Sequence, residues 1–194
     1  MATTHLLYLH GFRSSPSSTK ARQMAAHVQA HYPEMTWLCP ALSVSPRQAM
    51  ADLELACRDW PRQTMVIMGS SLGGFYATSL AQRWGCRAVL LNPAVHPHLH
   101  GGHLVGEFPM WHDPSQTMVF KSSYLDELKA LEPPTMAHPQ RLLTIVATGD
   151  EVLDAAELID YYARTQLHVQ DGGDHALSDF ATFLPTIDRF LESD

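Results

Sequence analysis

A serine flanked by glycines stands at the junction of a predicted strand and a predicted helix. Residues 65–68 form a short apolar run, which is typical of a strand buried on both faces. The sequence then reads G-x-S-x-G with Ser71 at its centre and continues into a helical pattern. A sharp turn at this point would push Ser71 out over the end of a sheet at a strained backbone angle. We therefore expect Ser71 to act as a nucleophile, provided that a base lies within its reach.

The two glycines of this pattern have a predicted steric role. A side chain at Gly69 or Gly73 would clash where the strand and the helix cross closely. The helix would direct its first N–H groups to the place where an oxyanion forms. A glycine-rich turn without chemistry is the alternative, since patterns of five residues recur by chance. A P-loop is excluded because no Gly-Lys-Ser/Thr follows.

Two further strand ends carry side chains that could activate Ser71. Asp150 follows the apolar run 142–148, and His175 follows the last predicted strand and a Gly-Gly pair. Functional residues of an open parallel sheet gather at the carboxyl ends of its strands, so we expect the three to meet. The chain order Ser, Asp, His is that of the α/β-hydrolase fold. His175 would take the proton of Ser71, and Asp150 would fix the imidazole tautomer.

Other acidic residues compete with Asp150 for its role. Asp154 begins a D-x-x-E pattern, which predicts a helix cap, and Glu151 lies one residue further from the strand end. Asp174 is predicted to be a turn residue. The chain has 12 histidines, and His175 is the one placed after the last strand, where this fold needs its base.

The first predicted strand, residues 5–10, supplies the second half of a predicted oxyanion site. It ends in His10-Gly11-Phe12 at the same edge of the sheet. The backbone N–H groups of Phe12 and Leu72 would hold the oxyanion, a contribution of roughly 3–4 kcal/mol per donor in related chemistry.

Residues 93–120 interrupt the regular pattern. Such a long insertion in a compact domain is usually functional or mobile, and we expect it to form a lid over the carboxyl edge of the sheet. Phe108, Met110 and Trp111 are its predicted apolar contacts with a substrate. The segment is also rich in histidine, a common metal ligand. Because it has no cysteine and few acidic neighbours, we expect no metal and no cofactor at these histidines, which are His96, His98, His100, His103 and His112.

The rest of the chain alternates strands with helices. The apolar runs predict strands at residues 5–10, 35–39, 65–68, 87–91, 142–148 and 166–170. Ser45-Pro46 is typical of a helix start, and Pro185 is expected to divide the last helix. This alternation predicts an α/β fold, a minimal α/β-hydrolase with about six parallel strands and helices on both faces. We expect a single domain over residues 1–194, with 93–120 as its lid-like insertion.

The amino-acid composition indicates in which compartment the protein functions and which kinds of partner it does not bind. The net charge of −7 argues against nucleic acid and anionic membranes as partners. The first residues lack the basic region of a signal peptide, and no run reaches the ~18 apolar residues of a membrane span. Three scattered cysteines without CxxC spacing suit a reducing cytosol. We therefore expect a cytoplasmic protein.

Six segments from end to end of the chain resemble the small bacterial YqiA-type esterases, which are minimal α/β-hydrolases. They are YLHGF (8–12), SSPSSTKA (14–21), GSSLGGFYAT (69–78), LNPAV (91–95), TGDEVLD (148–154) and GGDHAL (172–177). The resemblance implies a hydrolase of carboxylic esters or thioesters. By position it also implies the nucleophile at Ser71, the acid at Asp150 and the base at His175.

The sequence thus predicts a serine hydrolase that cleaves small acyl esters through an acyl-enzyme intermediate. A thioesterase that acts on acyl-CoA is one alternative, with Arg13 and Lys20 as its weak cationic support. A non-catalytic binding module on a hydrolase fold is the other, although a receptor has no need of three catalytic side chains in register. The oligomeric state is not predicted.

Overall fold

The computed structural model describes residues 2–110 and 113–193. Over these residues the strands are β1 (His5–Leu9), β2 (Thr36–Leu38), β3 (Met65–Ser70), β4 (Arg87–Leu91), β5 (Gly106–Pro109), β6 (Thr117–Phe120), β7 (Leu142–Ala147) and β8 (Gln166–Gln170). The α-helices are α1 (Thr19–His31), α2 (Pro46–Ala56), α3 (Leu72–Trp84), α4 (Pro97–His100), α5 (Ser123–Leu131), α6 (Ala155–Tyr161) and α7 (Leu184–Glu192). Short 3-10 helices cover Gly101–Leu104, Pro139–Arg141 and Phe180–Phe183.

Six strands form one parallel sheet in the order β2-β1-β3-β4-β7-β8. The six predicted strands are therefore confirmed, and so is their parallel arrangement. The central strands β3 and β7 are buried along their whole length, as their unbroken apolar runs predict. The edge strand β2 is shorter than the predicted run 35–39 and is only partly buried.

Helices cover both faces of this sheet because successive side chains of a strand point to opposite sides. On β3, Met65 and Ile67 belong to the core beneath α2, α3, α5 and α6. Val66 and Met68 belong to the core beneath α1 and α7. Each fully buried side chain of this size stabilises the fold by about 1.5–3 kcal/mol, so the sheet is anchored from both sides. None of the helices in the described part of the chain combines the length and the apolar character that a bilayer crossing requires.

Three helix starts follow the local sequence. Ser45 accepts a hydrogen bond from the N–H of Gln48 at the start of α2, with Pro46 in the first turn. Asp154 caps α6 through the N–H groups of residues 156 and 157, which confirms the predicted cap. Pro185 lies in the first turn of α7, directly after a 3-10 helix, so the predicted division of the C-terminal helix is confirmed.

Residues 93–120 contain more regular structure than the sequence indicates. The helix α4 and a 3-10 helix come first, and β5 and β6 then pair as an antiparallel hairpin separate from the main sheet. On β6, Met118 and Phe120 are buried while Thr117 and Val119 are exposed. The hairpin thus has an inner apolar face and an outer exposed face. Its function as a lid stays a prediction.

The glycines around Ser71 allow an unusually close crossing of strand and helix. A Cβ atom on Gly69 would lie 2.1 Å from the carbonyl oxygen of Gly73. A Cβ atom on Gly73 would lie 2.1 Å from the carbonyl oxygen of Leu9. Both distances are far below van der Waals contact, so the predicted steric role of the two glycines is confirmed. Because these two residues have no side chains, α3 can begin directly after β3.

We expect Gly69→Ala to lower the free energy of unfolding by at least about 2 kcal/mol, because a methyl group must displace backbone atoms there. Gly102→Ala is the matched control, since an added Cβ at residue 102 meets no atom within 4 Å. Its effect should stay within about 0.5 kcal/mol. Urea unfolding of both variants measures the difference. Equal stability of the two would contradict the steric role of Gly69.

Candidate active site

Ser71 lies at the turn between β3 and α3, in a backbone conformation that non-glycine residues rarely adopt. Its φ is 56° and its ψ is −123°, which confirms the predicted strain. Hydrogen bonds hold the turn on both sides of the residue. The N–H of Ser71 donates to the carbonyl of Leu91, and its carbonyl accepts from the N–H groups of Gly74 and Ala94. The side chain of Ser71 is thereby fixed at the carboxyl edge of the sheet.

The structure brings Ser71, His175 and Asp150 together in one hydrogen-bonded line. The Nε2 atom of His175 lies 3.0 Å from the Oγ atom of Ser71. The Nδ1 atom of His175 lies 2.7 Å from the Oδ2 atom of Asp150. Because an ionised carboxylate only accepts, Nδ1 carries the proton and Nε2 is left to accept the proton of the hydroxyl. This arrangement is that of a nucleophile, a general base and an orienting acid.

The surroundings of Asp150 favour its ionised form. Its side chain is 0% exposed, whereas that of His175 is 19% exposed. Its Oδ1 atom accepts hydrogen bonds of 2.8 Å from the N–H groups of Val152 and Leu153. Burial raises the pKa of Asp150, but the bonds from His175 and these two N–H groups outweigh it and hold the pKa below its ordinary value. A buried negative charge at this position stabilises a protonated imidazole.

The competing acidic residues have other partners. Glu151 accepts a hydrogen bond of 2.9 Å from the backbone N–H of His175, not from its ring. Asp154 caps helix α6. Asp174 accepts hydrogen bonds from the N–H and hydroxyl of Ser178, as expected of a turn residue. The acidic side chain bonded to the imidazole is Asp150.

Asn92 is a positioning residue that sequence reasoning missed. It is fully buried at the end of β4, and its φ is 39°. Its Nδ2 atom donates to the backbone carbonyls of Asp174 (3.1 Å) and His175 (3.3 Å). Its Oδ1 atom accepts from the N–H of Ala147 at the end of β7. One side chain thus ties the loop of His175 to two central strands. The position of Asn92 directly after a predicted strand is the sequence feature that could have indicated this role.

Phe12 and Leu72 lie beside Ser71, where the sequence places the oxyanion site. Leu72 is the first residue of α3, and N–H groups in the first turn of a helix have no acceptor within that helix. The backbone before Phe12 is close, since a Cβ on Gly11 would lie 3.2 Å from the Cβ of Ser71. The ring of Phe12 packs edge-on against Phe108 and Phe120, which steadies this loop. The oxyanion function of the two N–H groups stays a prediction.

A cavity of about 680 Å³ opens beside Ser71 and His175, and we call it the apolar cavity. Its wall is mainly apolar and includes Leu72, Val95, Leu104, Phe108, Leu153 and Leu158. Polar and charged side chains also border it, namely Arg13, His100, His103, Asp154 and Glu157. Phe108 therefore borders the cavity as expected. Met110 lines a separate cavity of about 40 Å³ instead. Trp111, the third predicted contact, lies outside the described residues.

A second cavity, of about 560 Å³, also borders Ser71 and His175. Hydroxyl, amide and charged side chains form part of its wall, together with apolar residues such as Phe12, Val152 and Leu177. We call it the polar cavity because several hydroxyl side chains line it. The wall includes Ser14, Ser18, Thr19, Lys20, Gln23 and Ser178. Sequence reasoning missed this cavity, because its walls come from distant parts of the chain.

Three histidines of the segment contact carboxylates at the end of α5 and in α6, whereas His103 bonds to the backbone carbonyl of His100. His96 and His98 both contact the carboxylate of Glu132, and His98 does so at 3.0 Å. His100 pairs with Glu157 of α6, also at 3.0 Å. Within residues 2–110 and 113–193, no three His, Cys, Asp or Glu residues are grouped to hold a metal ion. His112 lies outside these ranges.

Solved structures share this fold along almost the whole chain. Est1E from Butyrivibrio proteoclasticus with bound ferulic acid has a TM-score of 0.74 and 12% identity, over 98% of this chain and 88% of its own. The mouse alpha/beta hydrolase domain-containing protein 10 has a TM-score of 0.70 and 14% identity, over 98% and 91%. A monoacylglycerol lipase from Paleococcus ferrophilus has a TM-score of 0.68 and 12% identity, over 98% and 96%. The predicted α/β-hydrolase fold is confirmed.

A family model described as "Uncharacterised protein family (UPF0227)" matches residues 5–192. This match spans nearly the whole chain and includes all six segments that carry the resemblance to YqiA-type esterases. The resemblance is confirmed by it. The chain therefore belongs to the UPF0227 family, with the fold of a small α/β-hydrolase.

Proposed function

We propose that this chain is a serine hydrolase that cleaves carboxylic esters through an acyl-enzyme intermediate. One observation carries the proposal, namely the line of two hydrogen bonds that joins Ser71, His175 and Asp150. It lies at the edge of an apolar cavity that is large enough for an acyl chain. The backbone of Ser71 is strained, and its side chain is only partly buried at the edge of this cavity. A serine with a purely structural role in a turn has no need of this combination.

The first half-reaction transfers the acyl group to Ser71. His175 Nε2 takes the hydroxyl proton as Oγ bonds to the ester carbonyl carbon, and the carbonyl oxygen becomes an oxyanion. The N–H groups of Phe12 and Leu72 stabilise this charge, and Asp150 stabilises the imidazolium. The intermediate then collapses as the bond to the leaving oxygen breaks. That oxygen takes the proton from His175 and departs as the alcohol.

Water completes the cycle in the second half-reaction. His175 removes a proton from a water molecule, whose oxygen attacks the acyl carbon. The bond to Oγ of Ser71 breaks, and Oγ regains a proton from His175 as the carboxylic acid is released. The same three side chains therefore act in both halves.

The structural neighbours support a hydrolase, although a shared fold does not define a substrate. One of them is Est1E with bound ferulic acid, and another is a monoacylglycerol lipase. We also propose residues 93–120 as the lid, since Val95, Leu104 and Phe108 of this segment line the apolar cavity. A cytoplasmic location is proposed because all three cysteines, which the structure describes, are unpaired thiols.

The placement of the cations favours an ester over acyl-CoA. Arg13 lines the apolar cavity, where it donates to the carbonyl of Pro109 and lies over the ring of Phe108. Lys20 lines the polar cavity and donates to the carbonyl of Ala176. A nucleotide with several phosphates needs cations that converge, whereas these two border different cavities.

A fluorophosphonate probe should phosphonylate the native protein at Ser71, since Oγ displaces fluoride once His175 accepts its proton. Labelling should be absent in Ser71→Ala. Intact-mass measurement and peptide mapping locate the adduct, and Ser70→Ala is the matched control that should still react. A native, folded protein without labelling would instead support the non-catalytic binding module.

We expect Asp150→Asn to lower kcat about 10³–10⁴-fold, because an amide donor beside Nδ1 favours the wrong imidazole tautomer. Asp154→Asn is the matched control, since asparagine also caps helices well, and its kcat should stay within about threefold of the native value. Steady-state hydrolysis of 4-nitrophenyl butyrate measures both. A larger loss in the Asp154 variant than in the Asp150 variant would reassign the acid.

The native protein should hydrolyse ethyl butyrate with a kcat/KM at least about tenfold above that for butyryl-CoA, because Arg13 and Lys20 border different cavities and do not converge on the nucleotide phosphates. The intrinsic reactivity of thioesters would act in the opposite direction, which makes the comparison stringent. A higher kcat/KM for butyryl-CoA would favour the thioesterase.

A further inference from the structure

The polar cavity meets the apolar cavity at the reacting atoms. Both are bordered by Ser71, His175, Phe12 and Val152. The acyl and alcohol parts of an ester diverge from one carbonyl carbon, so a substrate with this carbon at Ser71 Oγ extends into two spaces. The apolar cavity suits a hydrocarbon chain, because burying apolar surface is favourable there. The polar cavity is left for the other half of the ester.

The segment SSPSSTKA supplies one wall of the polar cavity. Ser14, Ser18, Thr19 and Lys20 all belong to this segment and line the cavity, although the catalytic steps do not use them. Ser178, three residues after His175, also lines the cavity, and its hydroxyl donates to Asp174. A hydroxyl side chain both donates and accepts hydrogen bonds. A wall of this kind matches a ligand that itself carries hydroxyl groups.

Lys20 adds a donor beside the catalytic loop. Its ammonium donates to the backbone carbonyl of Ala176, the residue after His175. Partial burial lowers the pKa of Lys20 to about 8, and the carboxylates of Asp174 and Asp150 oppose this shift. An ammonium has three N–H groups, so the bond to Ala176 leaves donors for a ligand.

The charges around this cavity sum to a net negative value. Besides Lys20, its wall contains the carboxylate of Glu151, and Asp174 lies close enough to act on the lysine. A neutral ligand with several oxygens fits this excess of carboxylates better than a phosphate or a carboxylate, which the negative charges would repel.

We propose that the polar cavity binds the leaving alcohol and selects alcohols with additional hydroxyl groups, such as glycerol or a sugar. The acyl chain occupies the apolar cavity. Lys20 and the serine hydroxyls act as specificity residues that bind the free hydroxyls of the alcohol. This inference rests on the proposed ester hydrolysis and adds the class of alcohol to it.

Two esters with the same acyl group and a three-carbon alcohol test the proposal, namely glyceryl monobutyrate and propyl butyrate. We expect kcat/KM of the native protein to be at least tenfold higher for the glyceryl ester. Lys20→Met should reduce this ratio to about 1–3 while kcat/KM for the propyl ester changes less than threefold. Ser18→Ala, which removes one hydroxyl, should lower the ratio in the same direction. Lys129→Met, on the exposed side of α5, is the matched control and should keep the native ratio.

Several outcomes would overturn the inference. A ratio near 1 in the native protein, with both esters hydrolysed, would remove the alcohol selectivity and leave the ester hydrolysis standing. If Lys20→Met lowered kcat/KM equally for both esters, Lys20 would only stabilise the His175 loop and would not bind the alcohol. A tenfold preference for the butyryl ester of glycerol 3-phosphate over glyceryl monobutyrate would assign the cavity to anionic alcohols. No hydrolysis of any ester, together with no probe adduct at Ser71, would overturn the proposed function as well.

Discussion

The site depends on the close contact between β3 and α3 at Gly69 and Gly73. The contact is possible only without side chains, because a Cβ on either residue would approach a carbonyl oxygen to 2.1 Å. Gly73 faces the carbonyl of Leu9 at the end of β1, and a Cβ on Gly74 would approach Pro93 after β4 to 2.7 Å. Three strand ends therefore meet at the first turn of one helix. This meeting point places Ser71 beside the loop that contains Phe12.

The strained turn at Ser71 is stable because neighbouring elements hold it. The carbonyl of Leu91 accepts from its N–H, and the N–H groups of Gly74 and Ala94 donate to its carbonyl. A residue with positive φ persists when its surroundings leave it no alternative. Leu91 and Ala94, which hold Ser71, flank Asn92, which holds the loop of His175. Ser71 and the loop of His175 are thus both held by neighbouring residues of β4 and its following turn.

Much of this arrangement could be predicted from the sequence because the signals are local. The apolar runs that form β3 and β7 are long enough to identify, and parallel strands deliver Ser71, Asp150 and His175 to one edge. The hairpin of β5 and β6 could not be predicted from the sequence, because β5 contains Gly106 and Pro109, which are uncommon in strands. In β6 the exposed position 119 is a valine, so polar and apolar residues do not alternate. The function of Asn92 depends on partners 55 to 83 residues away. The polar cavity likewise joins residues 156 positions apart, such as Lys20 and Ala176.

The residue after Asn92 affects the rate at which the side-chain amide of Asn92 deamidates. Asparagine deamidates when the backbone nitrogen of the next residue attacks the side-chain carbonyl and expels ammonia. Here the next residue is Pro93, whose nitrogen has no hydrogen and is closed in a ring, so this route to a cyclic imide is blocked. Deamidation would replace the Nδ2 donor by a carboxylate facing the carbonyl oxygens of Asp174 and His175. The Asn-Pro pair therefore protects the side chain that holds the loop of His175 against deamidation by this route.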